Sequence, residues 1–346
     1  MVQPLKAGTL LFIAFLLLGC QSAVLFHQPT TGNIRLVICE RIRNVSLPTR
    51  NNKVPIWAPS ENRFAYFGAQ HARNDIFVAT RDGSGFKNLT GSLAGRATTD
   101  YAWGSDGRWL YFTWENTNDN LSLYRVDTRT PGSVPVPLSP LSLNSRHPSI
   151  STDNRLIVFA STGPADPNDY DLYTSNLDGS NRTLLVRTIG VNDILPSWAS
   201  DGRVAFVRGR DVVIRQADGS LQATSTVFAG STPLTLTAKP NRIAWSKDNR
   251  YLAYEGGGGK IYRVATTAPF AALCVSCAPG VGLHLDRTPV WYDEDEKLLF
   301  HRYVGDPGPV VRETGVVVIE QDGTNEQYIE NQSASPDASG IQYICL

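Results

Sequence analysis

The chain of 346 residues lacks the usual marks of several enzyme classes. It has no Gly-x-Ser-x-Gly segment, so the strained nucleophile elbow of an α/β-hydrolase is missing, and no hydrolase domain is expected. Histidine is scarce, with only residues 27, 71, 147, 284 and 301. Cysteine is equally scarce, and the single Cys-x-x-Cys, "CVSC" at 274–277, has no second pair to complete a zinc site. "GGGG" at 256–259 lacks the Lys-Ser/Thr that follows a phosphate loop, so it reads as a connection. There is no basic block: Lys plus Arg and Asp plus Glu number 32 each, which argues against a nucleic-acid partner.

Long apolar runs are missing too, apart from "AGTLLFIAFLLL" at 7–18. That run is short for a bilayer span and suits the core of a signal peptide. It leads into "LLGC" at 17–20, which resembles the lipobox of bacterial lipoproteins. The expected division is therefore a signal peptide at 1–19, a lipidated Cys20 and tether at 20–31, and one folded domain at 32–346. Such a chain is extracytoplasmic and anchored by lipid to the cell membrane or outer membrane, in the periplasm or on the cell surface.

Repetition fills the rest. "WAPSENRFAYF" begins at Trp57, "WGSDGRWLYF" at Trp103, "ISTDNRLIVF" at Ile150, "WASDGRVAFV" at Trp198, "WSKDNRYLAY" at Trp245 and "WYDEDEKLLF" at Trp291. A worn copy, "ASPDASGIQY", begins at Ala334. Successive starts lie 46, 47, 48, 47, 46 and 43 residues apart. Each unit reads as strand a, tight turn, strand b, loop, strand c, a second turn (Asp-Gly at 82–83, 178–179, 218–219 and 322–323) and strand d. A period in the forties made of strands predicts a β-propeller. The expected fold is all-β: a seven-bladed propeller of four-stranded antiparallel blades. Residues 33–49 would supply strands c and d of a last blade whose strands a and b come from 334–346. Closing the ring in this way removes sheet edges. Cys39 and Cys345 would then lie on neighbouring strands, and a disulfide between them would staple the chain ends. Cys274 and Cys277 read as a local disulfide, with free thiols or redox and metal chemistry as the alternatives.

The segments "WGSDGRWLYF", "WSKDNRYLAY" and "DIFVATRDGSGFKNLT" resemble the PD40, or WD40-like, repeat of TolB-type propellers. That resemblance spans about 290 residues. It implies the fold and not a Tol role, and it leaves function to the loops, because related propellers occur in a periplasmic translocation protein, in peptidases and in oligogalacturonate lyases.

Trp57, Trp103, Trp198, Trp245 and Trp291 sit on strand a at the repeat period and belong between blades. Function is therefore expected on the face that carries the d–a and b–c loops. The candidate partner-binding residues there are His71, Trp114, Arg146, His147, Tyr170, Arg242, Arg287, His301 and Tyr303. The start of strand a forms a mixed-charge rim that also holds Lys53, Asp100, Asp193 and Asp286. The expectation is a monomeric, non-catalytic binding or scaffold protein of the cell envelope, without a cofactor, that takes a protein or glycan partner. The alternative is a metal-assisted polysaccharide lyase or hydrolase at the channel mouth, in which His71 and His301 contribute to a metal site.

Overall fold

The computed structural model describes residues 22–28, 33–38, 41–59, 62–70, 73–164, 166–209, 211–216, 225–226, 243–256, 259–267, 272–277, 284–292, 296–305, 311–332 and 341–345. These residues form antiparallel sheets arranged as a propeller. Six blades, numbered 1 to 6 along the chain, each come from one continuous repeat. They cover 50–88, 96–137, 145–186, 193–226, 243–274 and 284–332, and in each the sheet order follows the chain order a-b-c-d.

The expectation of seven equivalent four-stranded blades is overturned. Only six are built by the repeat. Three of those are three long strands edged by a two-residue strand: Lys87–Asn88, Val136–Pro137 and Ser225–Thr226. The chain ends form a sheet of another make. The C-terminal copy gives it one strand, Ile341–Cys345, and not an a–b hairpin. That strand pairs with Ser22–Gln28, which lies in the stretch read as tether, and Asn33–Ile38 and Arg41–Val45 follow outward. This sheet packs between blade 6 and blade 1.

The expected Cys39–Cys345 disulfide loses its basis. The sequence reading made their strands neighbours, whereas Ser22–Gln28 stands between Ile341–Cys345 and Asn33–Ile38. Cys39 itself lies outside the described residues.

Repeat chemistry holds the blades together. The indole Nε1 of Trp103, Trp245 and Trp291 donates to the carbonyl of Ile56, Ser197 and Ala244, each the residue just before the equivalent Trp of the preceding blade. The arginine after the a–b turn reaches the other way. Arg203 lies over the Trp245 ring and donates to Asn249 O at 2.8 Å. The c–d turn glycines Gly83, Gly179 and Gly323 have φ of 89°, 86° and 87°. A Cβ on Gly179 would stand 2.5 Å from the carbonyl oxygen of Leu138 in the blade before it, so glycine serves both conformation and close approach there.

A hydroxyl recurs two residues beyond strand d. The amides of Ile76, Leu123 and Ile261 on strand c donate to Thr90, Ser139 and Ser276 at 2.9–3.0 Å. Ser276 is inside "CVSC", and Cys274 and Cys277 are joined as a disulfide with Cα atoms 5.5 Å apart. The bond joins the end of strand d of blade 5, Ala272–Cys274, to the residue after this hydroxyl.

Candidate functional site on the loop face

The start of strand a is irregular in a way that aims side chains. Val54, His147, Leu195 and Thr288 have φ of 47°, 56°, 54° and 54°. Each precedes a proline: Pro55, Pro148, Pro196 and Pro289. L-residues avoid left-handed φ, β-branched ones most of all, and the ring of a following proline restricts them further. The surrounding sheet therefore imposes this bulge, and strand register shifts at each of the four places. The residue before the bulge is Lys53, Arg146, Ile194 or Arg287.

In blade 3 this turn builds a compact polar group. The Arg146 guanidinium donates to His147 Nε2, from Nε at 3.1 Å and Nη2 at 2.8 Å. Its carbon centre lies 5.7 Å from the centre of the Tyr170 ring. Asp100, from strand a of blade 2 (Arg96–Trp103), places Oδ2 3.5 Å from the same imidazole nitrogen. The amide of Leu195 in blade 4 points at His147 Nδ1, 3.4 Å away. Burial pushes the Tyr170 hydroxyl above its usual range, with Arg146 opposing. Among the described residues, Arg146 has no carboxylate within ion-pair distance; its partners are the imidazole and the phenol ring. The adjoining loop is tied down, because Asn192 Oδ1 accepts from the Tyr170 amide at 2.8 Å and Asp169 Oδ2 from the Gly190 amide at 2.9 Å. It presents Ile189 at 84% exposure.

Blades 5 and 6 carry a second charged group, most of it buried. Asp286 accepts from Arg302 Nε at 2.8 Å and Nη2 at 3.1 Å, and both residues are fully buried. Arg302 also pairs with Glu326. His284 Nε2 lies 3.2 Å from Asp286 Oδ2 and 2.6 Å from Lys260 Nζ. Nearby, Glu255 is 4% exposed, and burial raises its carboxyl to about 7; Arg287 Nε, 3.9 Å away, opposes the rise. Asp193 repeats the buried pair in blade 4, with Arg208 Nε 2.8 Å from Oδ1.

The candidates named from sequence separate accordingly. Arg146, His147 and Tyr170 come together. Arg287 stands in the other sector, beside Glu255. Trp114 is not a loop aromatic: it lies in strand b of blade 2 (Trp109–Glu115), is 1% exposed, and donates from Nε1 to Ala94 O at 2.8 Å. A side chain so covered has no surface for a partner. His301 is also in a strand (Lys297–Gly305), 2% exposed, with Nε2 bonded to no described residue. Burial holds its imidazole down at about 4. Tyr303 belongs to the same strand, paired to Leu285 and Thr314. The b–c connections are thus shorter than the sequence suggested, because strands b and c continue through their polar ends. Asp193 and Asp286, read as rim charges, are buried in ion pairs. His71, Arg242, Cys20 and Cys39 lie outside the described residues, and of Cys345 only the backbone is described. No group of three His, Cys, Asp or Glu suited to a metal occurs among the described residues. The sequence reading missed Glu255, Lys260 and His284. For His284 the available signal was the proline two residues before Trp291, which marks the bulge as it does before Trp57, Ile150 and Trp198; no such proline precedes Trp245 in the blade of Glu255 and Lys260.

No family model matches the chain, and no curated protein matches it in sequence. Solved structures do. The periplasmic gluconolactonase PpgL of Pseudomonas aeruginosa aligns over 93% of this chain and 99% of its own, at 13% identity and a TM-score of 0.61. Oligogalacturonate lyase from Vibrio parahaemolyticus aligns over 91% and 86%, at 12% identity and 0.58. TolB from Acinetobacter baumannii aligns over 93% and 65%, at 14% identity and 0.49. The first two place the chain in the β-propeller fold. At these identities the likeness is one of fold.

Proposed function

We propose that the protein is an extracytoplasmic binding module of the cell envelope that takes a partner bearing an acidic group, such as an acidic glycan, on the loop face of blades 2 to 4. The observation that carries this reading is Arg146. It is a half-buried cation beside the Tyr170 ring and held by His147, with no described carboxylate within ion-pair distance. A guanidinium fixed in this way suits bidentate recognition of a carboxylate. Tyr170 and the exposed Ile189 offer apolar surface beside it, and Asp100 can accept from hydroxyls. Acid-derived sugars also appear in the names of the two propellers with the higher TM-scores, which supports a ligand of that class. Export is supported by the leader, by the "LLGC" segment and by the Cys274–Cys277 disulfide. Lipidation of Cys20 belongs to the same proposal.

The test is capture from a detergent-solubilised envelope, eluted with oligogalacturonate and, separately, with a neutral oligosaccharide of equal length. The wild type should retain a partner that the acidic sugar alone releases, and an Arg146→Ala/Tyr170→Ala variant should retain none. Equal capture by both proteins would remove this face from the account.

A further inference from the structure

We propose that Lys260 is a nucleophilic amine, held ready by His284, that condenses reversibly with the carbonyl group of a small acid-bearing aldehyde or ketone on the loop face of blades 5 and 6. The site is separate from the Arg146 group and does not depend on it.

Lys260 opens strand c of blade 5 (Lys260–Ala265) and is partly exposed. Among the described residues it makes no ion pair with a carboxylate, as a structural lysine in a charged network usually would. It faces an imidazole instead. Its Nζ lies 2.6 Å from His284 Nε2 and 3.3 Å from His284 O. The same Nε2 has Asp286 Oδ2 at 3.2 Å and Ser276 O at 3.3 Å. One nitrogen thus meets two oxygen acceptors and one amine. If Nε2 carries a proton, it donates to an oxygen and the amine beside it is the free base. If Nε2 is bare, it accepts from the ammonium. The contact gives one proton two homes, Nζ and Nε2.

Burial favours release from Nζ. Asp286 is already neutralised by both Arg302 nitrogens, and Glu326 is paired to Arg302 as well. Arg302 sets a fixed cation near the lysine. Burial holds the Lys260 amine below its usual range, and Arg302 adds to that while Asp286 and Glu326 oppose it. A lysine desolvated beside another cation, with a base in contact, meets the conditions for a nucleophilic amine at neutral pH. The geometry is also locked. Ser276, between the disulfide-bonded Cys274 and Cys277, accepts from the Ile261 amide at 2.9 Å and sets its carbonyl against His284.

The ligand class follows from the neighbours. Leu285 is 43% exposed, and Arg287, one residue beyond Asp286, presents a quarter-exposed guanidinium whose Nε lies 3.9 Å from Glu255 Oε1. An amine, a guanidinium and an apolar side chain together suit a small oxo-acid. In the reaction the ammonium proton passes to His284 Nε2. The free amine then attacks the carbonyl carbon, a C–N bond forms, and the C=O π pair moves to oxygen. The carbinolamine loses its oxygen as water, taking protons from nitrogen and from His284, and leaves an imine. Nothing is oxidised or reduced.

The experiment uses the folded, full-length protein with limiting glyoxylate and cyanoborohydride, which traps an imine by hydride transfer and leaves a carboxymethyl mark readable by peptide mapping. At pH 7, Lys260 should be marked at least about tenfold faster than Lys87 and Lys247, because burial favours its free amine over the ammonium form. Lys260→Arg should lose that fast mark. His284→Gln, checked for folding by thermal melting, should slow the marking and move its pH profile upward, which a merely structural histidine would not do. Marking of wild-type Lys260 no faster than Lys87 and Lys247 would overturn the proposal, whatever the variants do.

Discussion

At the scale of residues, two buried ionisable side chains act in opposite directions. Glu255 has its carboxyl raised from 4.5 to about 7 by burial. Between those values the unfolded chain releases a proton that the folded chain keeps, so stability falls as pH rises through this window. His301 has its imidazole lowered from 6.5 to about 4, again by burial. Between those values the unfolded chain holds a proton that the folded chain lacks, so stability rises with pH there. The two slopes oppose each other from about pH 4.5 to 6.5, each at most about 1.4 kcal/mol per pH unit. Urea unfolding across pH 4 to 8 should separate them. Glu255→Gln should leave a profile that only climbs, and His301→Phe one that only descends over the shared window. Identical profiles in all three proteins would show that neither group is buried in solution.

At the scale of elements, the turns make a sharp comparison. Gly179 and Gly202 both have positive φ, 86° and 89°. A Cβ at Gly202 meets nothing within 4 Å, whereas at Gly179 it meets the Leu138 carbonyl of the neighbouring blade. Gly202→Ala should cost about 1 kcal/mol, the conformational part alone. Gly179→Ala should cost clearly more, because a blade contact must open, and thermal melting of the two variants checks the order. This difference also separates what the sequence displayed from what it hid. Asp-Gly at 82–83 and 178–179 announced the turn, and the Trp spacing announced the repeat, because both are local or periodic signals. The packing of Gly179 onto Leu138 is neither. Trp114 was misread because a polar neighbourhood, "TWENTNDN", looks like a loop although strand b continues to Glu115. Arg146, His147 and Tyr170 were visible as a rim because they sit at the start of strand a or in the following b–c stretch. The Lys260–His284 contact joins residues 24 positions apart across two blades, and no local pattern in the sequence points to it.

At the scale of the whole molecule, the joint between the chain ends departs most from the sequence reading. "SAVLFHQ" follows the leader so closely that it passed for tether, yet it is the strand that receives Ile341–Cys345. One C-terminal strand therefore holds the first and last blades together through the terminal sheet. Removal of 341–346 would expose the edge of Ser22–Gln28 and should lower the melting temperature and promote association. An unchanged melting temperature would show that the ring does not depend on this strand. The ring also fixes the two polar sectors in separate places, Arg146 with blades 2 to 4 and Arg287 with blades 5 and 6, and so makes the binding proposal specific. The most direct measurement is calorimetric titration of oligogalacturonate into the wild type, Arg146→Ala and Arg287→Ala. Loss of a charge-assisted pair should weaken binding about tenfold or more in Arg146→Ala, while Arg287→Ala stays within about twofold of wild type. Equal losses in both variants, or none in Arg146→Ala, would contradict the assignment of the working face.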